Sequence, residues 1–293
     1  MTAMGHAVEI RGLTKSFPGF RLDGVDLVLP RGYIMGLVGP NGAGKTTLIK
    51  CLLGMLHADA GSVSVLGRPV TPGTGGHPGV GVVLDRASYV QDWTLGDVGR
   101  ATRLFSPAWS ERRYRSHLER FGLDARRLVK DLSRGMTTKL MVAVALARDA
   151  ELLVLDEPTS GLDPASREEL LGTLQDFLID ERRAVLFSTH VTSDLEAVAD
   201  HVTVLLDGRV FASATTDDLL AGYRLVRGGP GELPPGLRRR LIGLREHASG
   251  FEALAAVSDL PGGSGPAPAP SGHDGLLVEP AGLDQIVAHL GRR

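Results

Sequence analysis

Apolar residues come in short runs whose texture changes along the chain. Residues 8–13 and 24–29 alternate apolar with polar side chains, the period of half-buried strands, and a turn follows at Pro30-Arg31-Gly32. Residues 33–38, 152–155 and 184–188 are instead continuous apolar or small-residue runs, the mark of strands covered on both faces. Residues 62–66 and 80–84 read as two hairpin-like strands around a Pro/Gly-rich loop at 72–79. Helical texture is expected at 46–56, over much of 95–129 with stops at Pro107 and Gly122, at about 133–148, and at 164–179. Residues 202–206 and 209–212 predict a hairpin around Asp207-Gly208. Strands alternating with helices predict a largely parallel, three-layered α/β core. Past about residue 221 the pattern weakens; 260–275 reads as a flexible Gly/Pro-rich loop, with a strand at 276–278 and a helix at 283–290 closing a small lobe.

Composition changes this picture little. The 293 residues are 43% hydrophobic and 23% charged, and the formal net charge of −2 gives no electrostatic reason to expect nucleic acid as a partner. The single cysteine, Cys51, sits in an apolar run, where a buried structural role is expected, and one thiol allows no internal disulfide. No signal peptide and no membrane-length apolar run is apparent, so a soluble chain is expected, and any membrane role is borrowed from a partner.

The first candidate chemistry is Gly39-Pro40-Asn41-Gly42-Ala43-Gly44-Lys45-Thr46, followed by Thr47, between an expected strand and an expected helix. Glycines at this spacing let backbone N–H groups curl around a phosphate in front of a helix N-terminus. Lys45 can then bridge the β- and γ-phosphates of ATP, and the Thr46 hydroxyl can ligate Mg²⁺. The second is the strand end Leu155-Asp156-Glu157. Strand C-termini of a parallel sheet face the ligand crevice, so Asp156 is expected at the metal and Glu157 as the base toward water.

Five ordered segments resemble the ABC ATPase family over roughly residues 5–220: 39–47, Leu132-Ser133-Arg134-Gly135-Met136, 152–157, Ser160-Gly161-Leu162-Asp163, and Ser188-Thr189-His190. The resemblance implies an α/β P-loop NTPase of the ABC cassette type. That fold has a RecA-like core, an antiparallel β subdomain and a helical subdomain (about 86–150), here with a small C-terminal extension (221–293). It implies that Ser133 and Gly135 meet the γ-phosphate held by a second copy of the chain, in a homodimer with ATP sandwiched head to tail. His190 is then the switch histidine, Asp163 lies in the loop coupling the two sites, and Phe17 stacks on adenine, with Phe20 close by. It further implies ATP hydrolysis powering a separate transmembrane permease subunit, at the inner face of the cell membrane.

Three positions depart from the family's usual wording. Arg134 stands where the signature usually has glycine, with Met136 at its usual glutamine; Arg134 either helps neutralise the γ-phosphate or points to solvent. Asp85 stands where a glutamine is usual; a carboxylate there can order Mg²⁺-bound water but cannot donate a hydrogen bond. The Leu-Ser-Arg-Gly-Met wording, with Pro107-Ala108-Trp109 upstream, resembles bacterial single-cassette ATPases of export systems. The competing expectations are a soluble ABC ATPase acting on ribosomes or DNA and a small-molecule kinase. The first usually carries two cassettes or a coiled-coil insertion, absent here, and the second leaves the signature segment unexplained. For residues beyond 221, a regulatory lobe, a dimer contact and a passive extension remain open.

Overall fold

The computed structural model describes residues 5–71, 73, 76–86, 88–260 and 276–292. Along the chain these form β1 (His6–Phe17), β2 (Phe20–Pro30), β3 (Ile34–Val38), α1 (Lys45–Leu52), β4 (Ala60–Val65), β5 (Arg68–Pro69) and β6 (Val80–Val83). Then come α2 (Leu95–Phe105), α3 (Glu111–Arg120), α4 (Arg134–Leu146), β7 (Leu152–Asp156), α5 (Pro164–Phe177), β8 (Ala184–Thr189) and α6 (Thr192–Val198). The last third holds β9 (His201–Leu206), β10 (Arg209–Thr215), α7 (Thr216–Gly222), β11 (Tyr223–Gly228), α8 (Pro235–Arg238), β12 (Leu241–His247), β13 (Gly250–Ala256), β14 (Leu277–Pro280) and α9 (Leu283–Leu290).

A six-stranded sheet, ordered β10-β9-β3-β8-β7-β6, carries the core. Its inner strands are parallel, and the β9–β10 hairpin forms one edge, as expected from Asp207-Gly208. The continuous apolar runs are explained by what covers each face. Met35, Leu37, Leu152, Val154, Ala184 and Leu186 pack toward α1 and the antiparallel sheet. Their sequence neighbours Ile34, Val38, Leu153, Leu155, Val185 and Phe187 pack toward α4, α5 and α6. Side chains on alternate sides of these strands thus enter two different apolar layers. Cys51 is buried in the first of them, and the apolar surroundings push its thiol up.

The expected hairpin-like relation of 62–66 to 80–84 is corrected. β4 joins a separate antiparallel sheet, β2-β1-β4-β5, whereas β6 pairs in parallel with β7. Val80 and Val83 are buried against the central sheet, and a short apolar segment carries no local mark of which strand it will join. Part of the intervening Pro/Gly-rich loop (72, 74, 75) lies outside the described residues.

Helix starts follow their caps. Thr94 and Asp97 form a capping box on α2, Ser110 caps α3, Ser133 caps α4, and Asp163 with Pro164 at the first position starts α5. The helical segment is locked by Tyr114, whose hydroxyl donates to the Leu95 carbonyl at 2.7 Å. Its ring lies 4.9 Å from Trp109 and so close to Gly99 that a Cβ there would stand 2.5 Å from Cε1.

Beyond residue 221, where the pattern weakens, the chain forms a second antiparallel sheet, β12-β13-β11-β14. The expected strand and helix are present as β14 and α9; β11, β12 and β13 were not anticipated. Most of the expected 260–275 loop lies outside the described residues. Leu225, Leu254, Leu283, Ile286 and Leu290 join the same apolar cluster as Leu195 and Leu219, so this sheet packs onto the α6–α7 side of the core. Among the described residues, no helix is long and apolar enough to cross a membrane.

Replacing Tyr114 by Phe removes the hydroxyl's hydrogen bond to the Leu95 carbonyl while keeping the ring. The expected cost is about 1 kcal/mol in unfolding free energy, read from a urea titration at unchanged secondary structure.

Candidate active site

The site lies where β3, β7 and β8 end and begins with the loop after β3. Gly42 and Gly44 have φ of 84° and 106°, the left-handed region that glycine tolerates and other residues rarely adopt. At Gly39 the constraint is contact: a Cβ would stand 2.1 Å from the Leu205 carbonyl oxygen. Ala43 ties the loop down, its N–H donating to the Pro40 carbonyl at 3.2 Å and its own carbonyl accepting from Gly208 N–H at 3.1 Å. The loop feeds α1, whose free N–H groups and dipole favour an anion at this end.

Lys45 is only 7% exposed. Its ammonium donates to the Gly39 carbonyl at 2.8 Å and the Pro40 carbonyl at 3.4 Å, with Glu157 Oε1 3.8 Å away. Burial pushes its pKa down, and the charges of Glu157 and then Asp156 oppose that shift. The cleft of about 330 Å³ above it is lined by Asn41, Gly42, Thr46, Thr47, Asp156 and Glu157, with Phe20 and Asp85 at its edges.

Thr46 Oγ1 donates to Asp156 Oδ2 at 2.8 Å. Asp156 is 2% exposed, and its other oxygen, Oδ1, is buried with no hydrogen-bond partner. A buried carboxylate oxygen without a donor is costly in a finished core. Beside a hydroxyl at the mouth of a phosphate loop, it fits a hard cation or its bound water.

Glu157 has φ of +54°, a left-handed conformation for a side-chain-bearing residue, and its N–H donates to the Ser188 carbonyl at 2.9 Å. Such backbone strain clusters at functional positions. Its Oε2 lies 2.6 Å from His190 Nδ1, while Oε1 faces Lys45. Three residues from separate segments, Lys45, Glu157 and His190, therefore converge.

Other expected residues lie elsewhere. Ser133 is exposed at the tip of α4, its Oγ accepting from Met136 N–H at 3.2 Å, with Gly135 packed beside Leu162. Asp163 caps α5, accepting from Ser166 N–H at 3.0 Å and Ser166 Oγ at 2.7 Å, contacts that hold its carboxyl below the usual range. Phe17 lies at the end of β1, 40% exposed, with the Lys15 ammonium 5.6 Å from its ring centre. Phe20, paired with Phe17 across the β1–β2 turn, lines the cleft and sits against Gly44.

The Arg134 side chain is more than half exposed, yet its guanidinium is engaged within its own subunit. It donates to Asp85 Oδ1 at 2.9 Å and to Ser160 Oγ at 3.2 Å. Asp85 thus lines the cleft with one oxygen, Oδ1, engaged by a guanidinium. No local pattern links residues 49 and 26 positions apart, so only the fold reveals these contacts.

The ABC transporter family profile matches residues 22–160. The chain is 37% identical over 228 residues to the daunorubicin/doxorubicin resistance ATP-binding protein of Streptomyces peucetius, covering 73% of this chain and 66% of that one. It is 34% identical over 307 residues to the Nod factor export ATP-binding protein I of Burkholderia lata, covering 98% of this chain and 97% of that protein. By contrast it spans 46% of the Escherichia coli galactofuranose transporter ATP-binding protein that it also matches. A solved ATP-binding subunit of an ABC transporter superposes with a TM-score of 0.67 at 27% identity, covering 73% of this chain and 91% of that one. The ordered phosphate loop, signature turn and acidic strand end, now seen on one cassette fold, place this chain in the ABC transporter ATP-binding family.

Proposed function

We propose that the chain binds and hydrolyses ATP as the nucleotide-binding subunit of a transporter whose membrane-spanning part is a separate polypeptide. The observation that carries this reading is the convergence of Glu157, His190 and Lys45 over the glycine loop. On nucleotide binding, the Lys45 ammonium exchanges its carbonyl contacts for β- and γ-phosphate oxygens. The backbone N–H groups around Gly42 and Gly44 take the remaining charge. The Glu157 carboxylate accepts the proton of the attacking water, and His190, hydrogen-bonded to it, fixes its direction. Magnesium, when bound, neutralises phosphate charge, and Thr46 and Asp156 are the residues that would hold it.

The exposed Ser133 turn supports the sandwich. An exposed cap at a helix N-terminus suits a phosphate held by a second copy in a two-fold homodimer. Residues 5–220 form the cassette in this reading, with the helical segment at about 86–150 passing dimer closure to the permease at the inner membrane face. Residues 221–293 form an appended lobe. Export is the favoured direction, because two of the relatives are named for drug resistance and for Nod factor export.

Glu157→Gln is expected to lower kcat about 10²- to 10³-fold while ATP still binds, and to trap an ATP-bound dimer in gel filtration. A variant that stays monomeric with ATP and Mg²⁺ sinks the sandwich. Lys45→Ala is expected to weaken ATP binding at least about tenfold, measured by titration with a fluorescent nucleotide; unchanged affinity rejects the phosphate role. Co-expression with membrane proteins from neighbouring reading frames is expected to yield a stable complex with altered ATPase rate. Stimulation by ribosomes or DNA, with no membrane protein retained, overturns the transport assignment.

A further inference from the structure

Asp85 and Arg134, where the chain leaves the family's usual wording, meet in space. Arg134 is the first residue of α4, immediately after the Ser133 cap. Asp85 borders the cleft together with Thr46, Asp156 and Glu157. Ser160, the second acceptor of the Arg134 guanidinium, lies three residues after Glu157, and its N–H donates to the Glu157 carbonyl at 3.2 Å. The neighbouring Gly161, at φ 76°, makes room for the arginine stem: a Cβ there would stand 3.3 Å from Arg134 Cδ.

Folding stability is not what this arrangement supplies. The two side chains are 59% and 47% exposed, and ion pairs so open to water add little to folding. A planar guanidinium shared between two acceptors on different loops does fix geometry. Replacing glycine by arginine next to a phosphate-facing turn adds a charge, and replacing glutamine by aspartate supplies the opposite charge within reach.

We propose that Arg134 is a positioning residue for ATP turnover, tying the Ser133 turn to Asp85 at its own subunit's cleft and to Ser160 on the loop after Glu157. This rests on the head-to-tail dimer reading, in which that turn serves the nucleotide of the neighbouring copy. The link runs inside one subunit from the site it builds to the site it completes. Movement of Asp85 or of the Glu157–Ser160 segment on nucleotide binding shifts Arg134 and, with it, the turn presented to the other site.

The test is a double-mutant cycle on the full chain: Asp85→Asn, Arg134→Gln, the two combined, and the swap Asp85→Arg with Arg134→Asp. Steady-state ATP hydrolysis gives kcat and KM separately, and hydrogen exchange reports the Met136 and Thr137 amides that close the turn. Each single change is expected to lower kcat about threefold to tenfold with KM for ATP held within about twofold, and to speed exchange at the turn. The combined variant is expected to be no worse than its weaker parent, and the swap to recover at least about half of the lost rate. Additive losses, or exchange at the turn unmoved by Asp85→Asn, overturn the link. So does a shift in magnesium dependence on Asp85→Asn while Arg134→Gln is silent, because Asp85 would then act on the metal directly. A wild-type chain without ATPase activity sinks the functional reading alone, and the exchange cycle still decides the link.

Discussion

A buried ammonium has to be answered by nearby acceptors, and much of the site is arranged around that requirement at Lys45. The Gly39 and Pro40 carbonyls turn inward to accept from it, which the loop can do because Gly42 and Gly44 take left-handed backbone. Glu157 supplies opposite charge from the end of β7, and its own left-handed backbone aims its carboxylate at the loop rather than along the strand. The balance is held with modest contacts, so the ammonium is free to exchange carbonyl oxygens for phosphate oxygens that carry more charge. Parallel pairing of β3, β8 and β7 makes the meeting possible, since it brings three strand ends to one edge of the sheet.

Around that edge the chain places groups of two kinds. Lys45, Thr46, Asp156, Glu157 and His190 face one another and form a unit of chemistry within a single copy. Ser133 and Asp163 instead cap helices near the surface, each holding a backbone N–H of its own helix. Arg134 is the physical connection between the two kinds, since it starts the helix that Ser133 caps and yet contacts the borders of the cleft.

The C-terminal sheet is attached differently. It shares an apolar layer with α6 and α7 through Leu225, Leu254 and α9, while Val226, Phe251 and Ala255 form a small core on its far side. Arg227 bridges Glu252 and Glu279 at 2.9 and 2.7 Å across three strands, and His289 from α9 reaches the Gly243 carbonyl at 2.8 Å. Among the described residues, those lining the cleft all come from the cassette and none from this lobe.

What could be read from the chain alone was whatever is encoded in neighbouring residues. The glycine loop with its lysine and the apolar strand ending in Asp156 and Glu157 are local patterns whose chemistry and conformation are set within a few positions. The family resemblance stood on the order of those patterns. Tertiary structure decided the remainder, because it depends on partners distant in sequence. It assigned β4 and β6 to different sheets and made a sheet of β11, β12, β13 and β14, in which β12 is half-exposed and β14 very short, so neither gives a clean period. It set Phe20 against Gly44 at the cleft, and it closed Arg134 onto Asp85. A side chain's type limits which interactions it can make, but only the folded backbone, by bringing residues 49 positions apart to 2.9 Å, determines which of them it does make.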